Sequence, residues 1–143
     1  MGGRLLYWMD IVAGIAAQRH ANSRVVTVSV DNVSFKYPIR FGNVVTLRAQ
    51  VSKAFNSSME VYITVTGEDH MGNSYQSNTA FFTMVALDDI NKPTLVPEAV
   101  PENEYERKMF DGAENRRKVR LFLAGKLNEE ESKGMERIFN PGS

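Results

Sequence analysis

A single carboxylate, Asp10, stands in an otherwise apolar segment at the start of the chain. The segment 2–20 predicts a helix with apolar residues on nearly every side, which is typical of a helix enclosed by other structure. An ionised carboxyl group in such surroundings costs several kcal/mol unless a partner or a ligand pocket compensates it. We therefore expect Asp10 to be either a catalytic group or a structural one, which interacts with the helix dipole or forms an ion pair with Arg19 or His20.

The neighbours of Asp10 on the helix are compatible with the catalytic interpretation. The residues three, four and seven positions later are all small, namely Ala13, Gly14 and Ala17. They leave room beside the carboxylate for a close-packed strand or a thin substrate. Gly2 and Gly3 would offer backbone N–H groups at the positive end of the helix, where they suit a developing oxyanion. A carboxylate suits general-base or nucleophilic chemistry.

Composition excludes several other classes of function. The chain has 143 residues and no cysteine, which excludes disulfides, thiolate catalysis and cysteine zinc sites. Neither His20 nor His70 has a metal-type partner three or four positions away, so we expect no metal site. The 17 basic and 17 acidic residues balance, and no apolar run is long enough to span a membrane. We expect a soluble cytoplasmic protein with no nucleic-acid or membrane partner.

Four strands are predicted after the helix. The first is a β-branched run from Arg24 to Phe35. The segments 45–52 and 59–66 alternate apolar and polar residues, which is typical of half-exposed antiparallel strands. A hairpin loop over 69–74 then leads to a more continuously apolar fourth strand over 75–87. One long apolar helix and four strands predict an α+β fold in which the sheet curls around the helix.

The chain after the sheet differs in character. Pro93, Pro97 and Pro101 space out an extended tether. We expect a first domain over 1–101 and a charged helical extension over 102–143, with a frayed or disordered end. After a break at Asp111-Gly112, Asp111 and Glu114 resemble a capping box and predict a helix start.

Five motifs in order resemble the hot-dog-fold acyl-CoA thioesterases, in particular the broad-specificity acyl-CoA hydrolases of bacteria and of the brain-type cytosolic enzyme. The likeness runs from Gly2 to about Phe110. The motifs are Gly2-Gly3-x-Leu5-Leu6-x-Trp8-Met9-Asp10, Ala17-x-Arg19-His20, Val26-Thr27-x-Ser29-Val30-Asp31-x-x-x-Phe35, Ser58-Met59-Glu60-Val61 and Ala80-Phe81-Phe82-Thr83-x-Val85-Ala86-Leu87.

This resemblance implies hydrolysis of fatty acyl-CoA thioesters to free acid and CoA, with no cofactor apart from the CoA of the substrate. Asp10 would act as general base or nucleophile, and the Gly2 and Gly3 N–H groups would stabilise the oxyanion. Members of the family usually carry a preceding strand and a loop with an assisting Asn, to which no residue of this sequence is assigned. A four-stranded sheet wraps only part of a helix, so we expect dimers joined edge to edge. The resemblance extends this to dimers of dimers or trimers of dimers.

The resemblance also implies a site for CoA. Asn56, Ser57 and Ser58 would lie near its phosphates, although Asn-Ser-Ser is equally typical of a hairpin turn. Asp31 would lie near the pantetheine tunnel, or else bond a neighbouring backbone group at a strand end. Arg116 would bind the 3′-phosphate, or else belong to a solvated helix face. The alternative function is a non-catalytic acyl-CoA or nucleotide-binding module.

Overall fold

The computed structural model describes residues 2–125 of the chain. Its elements are α1 (Gly2–Ala21), β1 (Arg24–Phe35), β2 (Val44–Ala54), β3 (Ser58–Glu68), β4 (Ser74–Leu87) and α2 (Glu104–Leu123). The predicted first helix and all four predicted strands are confirmed. The predicted frayed or disordered chain end lies outside the described residues. Neither helix within residues 2–125 is long and apolar enough to cross a bilayer.

The chain divides into two compact units. The first covers residues 1–100 and contains α1 and the four strands. The second begins at residue 101 and contains α2.

In the first unit, the four strands form one antiparallel sheet in the order β1-β4-β3-β2, so β1 and β2 are its edges. One face of α1 packs against one face of this sheet, because every fourth helix residue is apolar and buried. The helix contributes Leu5, Met9, Ala13 and Ala17 to the core, and the central strand β3 contributes Met59, Val61, Ile63 and Val65.

Much apolar surface of α1 is uncovered in the single chain. Five large side chains of the helix are between 37% and 64% exposed: Leu6, Tyr7, Trp8, Ile11 and Ile15. The prediction that the helix is enclosed on nearly every side is therefore wrong for one chain, because four strands cover only one face. Asp10 is accordingly exposed rather than buried.

Strand β1 is irregular, and the irregularity decides which side chains face the helix. Its register against β4 shifts between Thr27 and Ser29, and again between Asp31 and Ser34. Each inserted residue reverses the alternation of side chains between the two faces. Thr27 pairs with the core residue Met84 and faces the helix.

Helix α2 begins earlier than the sequence predicts. Its N-cap is Asn103, whose side chain accepts a hydrogen bond from the backbone N–H of Glu106 at 2.8 Å. The predicted start at Asp111 is wrong, and the helix continues through Gly112. A glycine inside a helix costs only about 1 kcal/mol, which does not end a helix that is already capped.

Candidate active site

Asp10 lies where α1 passes over β1. Its Oδ1 accepts a hydrogen bond from the hydroxyl of Thr27 at 2.5 Å. The sulfur of Met84 lies 3.4 Å from the same hydroxyl oxygen. Because a hydroxyl has one hydrogen and a carboxylate is the stronger acceptor, Thr27 donates to Asp10. This bond fixes one carboxylate oxygen and leaves the other available.

The alternative interpretation of Asp10 as an ion-pair partner of Arg19 or His20 is wrong. Both residues lie about 14 Å or more further along the helix axis, at a rise of about 1.5 Å per residue. Nε2 of His20 lies instead 2.7 Å from the carbonyl oxygen of Pro97.

Only one of the three small residues after Asp10 leaves open space beside it. Ala13 and Ala17 are fully buried in the core. Gly14 is half-buried, and a Cβ built on it would meet only Cε of Met84, at 4.0 Å. The room beside the carboxylate therefore lies along Gly14 and Met84.

Gly2 and Gly3 form the first turn of α1, as predicted from their position. Gly3 precedes Asp10 by seven residues, so about 10 Å separates them along the helix axis. Within one chain, the helix N-terminus and the carboxylate are therefore too far apart to contact the same carbonyl group.

Asp31 does not join Asp10. It pairs with Phe81, whose neighbours Ala80 and Phe82 face the helix, so Asp31 lies on the opposite face of the sheet. Its Oδ2 accepts a hydrogen bond from the Ser29 hydroxyl at 2.9 Å.

The 56–58 turn joins β2 to β3, and its backbone carbonyl groups accept hydrogen bonds that hold neighbouring segments. The carbonyl oxygens of Asn56, Ser57 and Ser58 accept hydrogen bonds from Val96, Ala86 and Phe55, respectively, at 2.8 to 2.9 Å. In the sheet, Ser58 pairs with Val85, which pairs with Val26. The turn thus lies two strands, or about 10 Å, from the part of β1 that carries Thr27.

Arg116 lies in α2, in the second unit. Its Nη2 donates to the carbonyl oxygen of Met109 at 2.5 Å, and the guanidinium covers Gly112. These contacts stay within the helix.

Sequence reasoning did not find the contact between Thr27 and Asp10. The residue stands within one of the five motifs, but its β-branched neighbours predict only a strand. The register shift that follows Thr27 leaves no simple mark in the sequence. Within residues 2–125, no three His, Asp or Glu side chains gather as a metal site would require.

The sequence pattern of the thioesterase superfamily matches residues 1–73. The chain belongs to this superfamily. It is 41% identical over 118 residues to the cytosolic acyl coenzyme A thioester hydrolase of Rattus norvegicus, covering 80% of this chain and 31% of that protein. It is 40% identical over 120 residues to the protein VdlD of Helicobacter pylori, covering 83% and 68%. The chain thus spans about a third of the rat enzyme.

Solved structures of acyl-CoA hydrolases share its hot-dog fold. An apo-hexameric acyl-CoA thioesterase superposes with a TM-score of 0.84 at 36% identity, covering 87% of this chain and 80% of that one. The acyl-CoA hydrolase of Bacillus cereus gives 0.84 at 34% identity, covering 96% and 82%. The Staphylococcus aureus acyl-CoA hydrolase, in complex with butyryl-CoA and CoA, gives 0.79 at 35% identity, covering 98% and 84%. That hydrolase has also been characterised with alanine in place of an aspartate, a threonine or an asparagine.

Proposed function

We propose that this protein is an acyl-CoA thioester hydrolase whose catalytic carboxylate is Asp10. The observation that carries the proposal is the hydrogen bond from Thr27 to Asp10, residues 17 positions apart. The aspartate and the threonine replaced in the S. aureus hydrolase are also 17 positions apart. The equal separation in sequence, together with the hydrogen bond between Thr27 and Asp10, supports a catalytic arrangement that the two proteins share.

In the proposed reaction, the free oxygen of Asp10 takes a proton from a water molecule. The water oxygen attacks the thioester carbonyl carbon, the carbon–sulfur bond breaks, and the CoA thiolate leaves and takes up a proton. A positioned general base contributes about 100-fold to 10,000-fold to such a rate. Thr27 positions Asp10 by holding Oδ1. Direct attack by Asp10, through an anhydride, is the alternative role for the same carboxylate.

The oxyanion of this reaction needs donors close to the carbonyl group. We assign them to the backbone N–H groups of Gly2 and Gly3 at the start of α1, where the helix dipole is positive. Since about 10 Å separates Gly3 from Asp10 in one chain, each site would combine Asp10 of one copy with the glycines of another.

The exposed surfaces of the single chain support such an assembly. Large apolar side chains are uncovered on α1, and Val26, Val28 and Val30 on the edge strand β1 are at least 42% exposed. We propose a dimer in which these surfaces cover each other, assembling further into trimers of dimers. Hexamers among the solved relatives support this stoichiometry. The name of the rat relative supports a cytosolic location.

For the nucleotide of CoA, the 56–58 turn is the stronger of the predicted sites. It lies about 10 Å from Thr27 across the sheet. Its amide and hydroxyl side chains suit phosphate oxygens. The structure offers less support for the other two candidates for CoA binding. Asp31 lies on the opposite face of the sheet, and Arg116 lies in the second unit. We propose residues 1–101 as the thioesterase domain.

The decisive experiment separates turnover from binding. The purified full chain is incubated with acyl-CoA esters of several lengths while thiol release is followed, and CoA binding is measured by calorimetry. We expect catalytic thiol release. Binding of acyl-CoA without turnover would overturn the proposal in favour of a non-catalytic acyl-CoA module.

A further inference from the structure

Met84 lies under the contact between Asp10 and Thr27. In the sheet, Met84 of β4 pairs with Thr27 of β1 on one side and with Met59 of β3 on the other. Directly paired residues carry their side chains on the same face of a sheet, so Met84 faces α1 together with Thr27. Met84 is 2% exposed and belongs to the core between the helix and the sheet. This core side chain therefore adjoins the candidate active site.

The thioether of Met84 reaches from β1 to the helix. Its sulfur lies 3.4 Å from Oγ1 of Thr27. Its methyl carbon, Cε, lies beside Gly14, where a Cβ would stand 4.0 Å away at an ordinary van der Waals distance. Gly14 follows Asp10 by one helical turn on the same side of α1. A methionine side chain is flexible by itself, but here contacts on β1 and on α1 hold its sulfur at the Thr27 hydroxyl.

The Thr27 hydroxyl has two acceptors within reach but only one hydrogen. The ionised carboxylate of Asp10 is the stronger acceptor, and the thioether sulfur is a weak one. In the proposed reaction, Asp10 takes a proton from water and becomes a neutral acid. A hydrogen bond to a neutral group is roughly half as strong as one to an ionised group. The advantage of Asp10 over the Met84 sulfur therefore shrinks at this step.

We propose that Met84 is a positioning residue whose sulfur accepts the hydrogen bond of the Thr27 hydroxyl while Asp10 is protonated. This inference rests on the proposed function. The transferred proton passes from water to the free oxygen of Asp10, and the hydroxyl only rotates about its Cβ–Oγ1 bond. Thr27 is exposed in the single chain, and the proposed dimer covers β1, so that water no longer offers an acceptor. The sulfur then satisfies a donor that is otherwise costly to leave without a partner.

The alternative is that Met84 only fills space in the core. Cores usually tolerate the exchange of methionine for leucine, because the two side chains have similar volumes. A space-filling Met84 therefore predicts that loss of the sulfur leaves kcat unchanged as long as the shape is kept. A positioning Met84 predicts a loss of kcat while substrate binding and stability are retained. Norleucine distinguishes the two, because it has a methylene group in place of the sulfur and keeps the shape.

The first experiment isolates the sulfur of Met84 from those of the other methionines. The full-length native chain and Met84→Leu are each produced with methionine or with norleucine, so the other methionines change alike in both proteins. The substrate is the acyl-CoA ester that the native chain hydrolyses fastest. In the native chain, we expect norleucine to lower kcat by about twofold to tenfold with KM and unfolding temperature close to native, as for the loss of one hydrogen bond. In Met84→Leu, norleucine should leave kcat nearly unchanged.

The second experiment observes the same contact without any turnover, by carbon-13 NMR of the methionine methyl groups. The Met84 signal is identified by its absence in Met84→Leu. Asp10→Asn replaces the carboxylate by a neutral acceptor, as protonation does, so we expect the Met84 signal to move when the hydroxyl turns to the sulfur. In a Thr27→Val background, Asp10→Asn should leave that signal nearly unmoved. Met71, which is 75% exposed on the β3–β4 hairpin, provides the control signal and should not respond.

Together the two experiments separate this inference from the proposed function. A Met84 signal that responds through Thr27, in a native chain that hydrolyses no acyl-CoA ester, would remove only the proposed function. Hydrolysis by the native chain with equal effects of norleucine on the native chain and on Met84→Leu would overturn the positioning role of the sulfur. A Met84 signal that moves equally with and without the Thr27 hydroxyl would overturn it as well.

Discussion

The phenol ring of Tyr75 lies across the backbone of Gly67 on the neighbouring strand. A Cβ at Gly67 would stand 2.5 Å from the Tyr75 hydroxyl oxygen. The absence of a side chain there lets Tyr75 reach Asn43, whose Nδ2 donates to its hydroxyl at 2.6 Å. The ring also packs edge-on against Tyr37, with ring centroids 6.3 Å apart. Gly67 thus allows Tyr75 of β4 to hold the loop between β1 and β2 through Asn43 and Tyr37.

We expect Gly67→Ala to destabilise the protein, because Cβ and the ring cannot both keep their positions. Overpacking of this kind costs about 1 to 3 kcal/mol. Thermal unfolding measures the effect. Gly14→Ala is the matched control: its Cβ meets only Met84 Cε at 4.0 Å, and an alanine in a helix gains about 0.8 to 1 kcal/mol. Equal unfolding temperatures for the two variants would contradict this account.

The hairpin between β3 and β4 is predicted to weaken in acid. Oδ1 of Asp69 accepts hydrogen bonds from the backbone N–H groups of Asn73 and Met71, both at 2.9 Å. The bond from Asn73, above all, lowers the pKa of Asp69 below its ordinary value of 3.8. A carboxyl group whose pKa is lowered by folding stabilises the folded form above the unfolded pKa. This contribution is lost as pH falls through the lower, folded value.

An NMR titration of the Asp69 carboxyl carbon checks the prediction. We expect its midpoint below 3.8, and faster hydrogen exchange at the Met71 and Asn73 amides in Asp69→Asn. A midpoint at or above 3.8 would be incompatible with hydrogen bonds to the ionised form.

Thr27 is predicted to act through Asp10 rather than on the substrate. Thr27→Val keeps the side-chain shape but removes the hydroxyl, so kcat should fall by roughly tenfold to a hundredfold, as for other hydrogen bonds to charged groups. Thr27→Ser keeps the hydroxyl and should recover most of the rate. In Thr27→Val the fall should lie in kcat, with KM and the unfolding temperature close to native, and Thr27→Ser should be native in all three. A merely structural role would instead lower the unfolding temperature of Thr27→Val and change KM together with kcat.

The proposed composite site predicts recovery of activity from two inactive variants. Asp10→Asn removes the carboxylate, and Gly3→Pro removes a backbone N–H at a helix position that tolerates proline. Coexpression should restore about a quarter of native activity, because half the dimers are mixed and each carries one intact site. If verified mixed dimers recover no activity, Asp10 of one copy and Gly3 of the other do not form one active site.

Much of this architecture is predictable from the periodicity of the apolar residues and from the composition of each segment. The alternation around Leu47 and Ile63 gives two strands, and the long apolar segment around Asp10 gives the central helix. The two features that were missed have different causes. The bulge after Thr27 depends on pairing with β4, and the choice of Asn103 over Asp111 as the cap depends on competition between two similar signals.

The exposure of Asp10 has a related origin. Its apolar neighbours predict an enclosed helix, but the single chain covers only one face of α1. Leu6 and Ile11 therefore belong to the surface that a second copy is proposed to cover. The sequence alone does not distinguish residues buried within one chain from residues buried between two chains. The face of the sheet on which Asp31 lies likewise depends on the register of β1 against β4, which the sequence does not give.

The most direct test of the central claim compares the native chain with Asp10→Asn in acyl-CoA hydrolysis. Asp89→Asn, another exposed position in the same unit, serves as the matched control. Asp10→Asn is expected to lower kcat by about 100-fold to 10,000-fold with unchanged circular dichroism and oligomeric state, while Asp89→Asn retains the native rate. A folded, assembled Asp10→Asn protein that hydrolyses acyl-CoA at the native rate would contradict the assignment of Asp10 as the catalytic group.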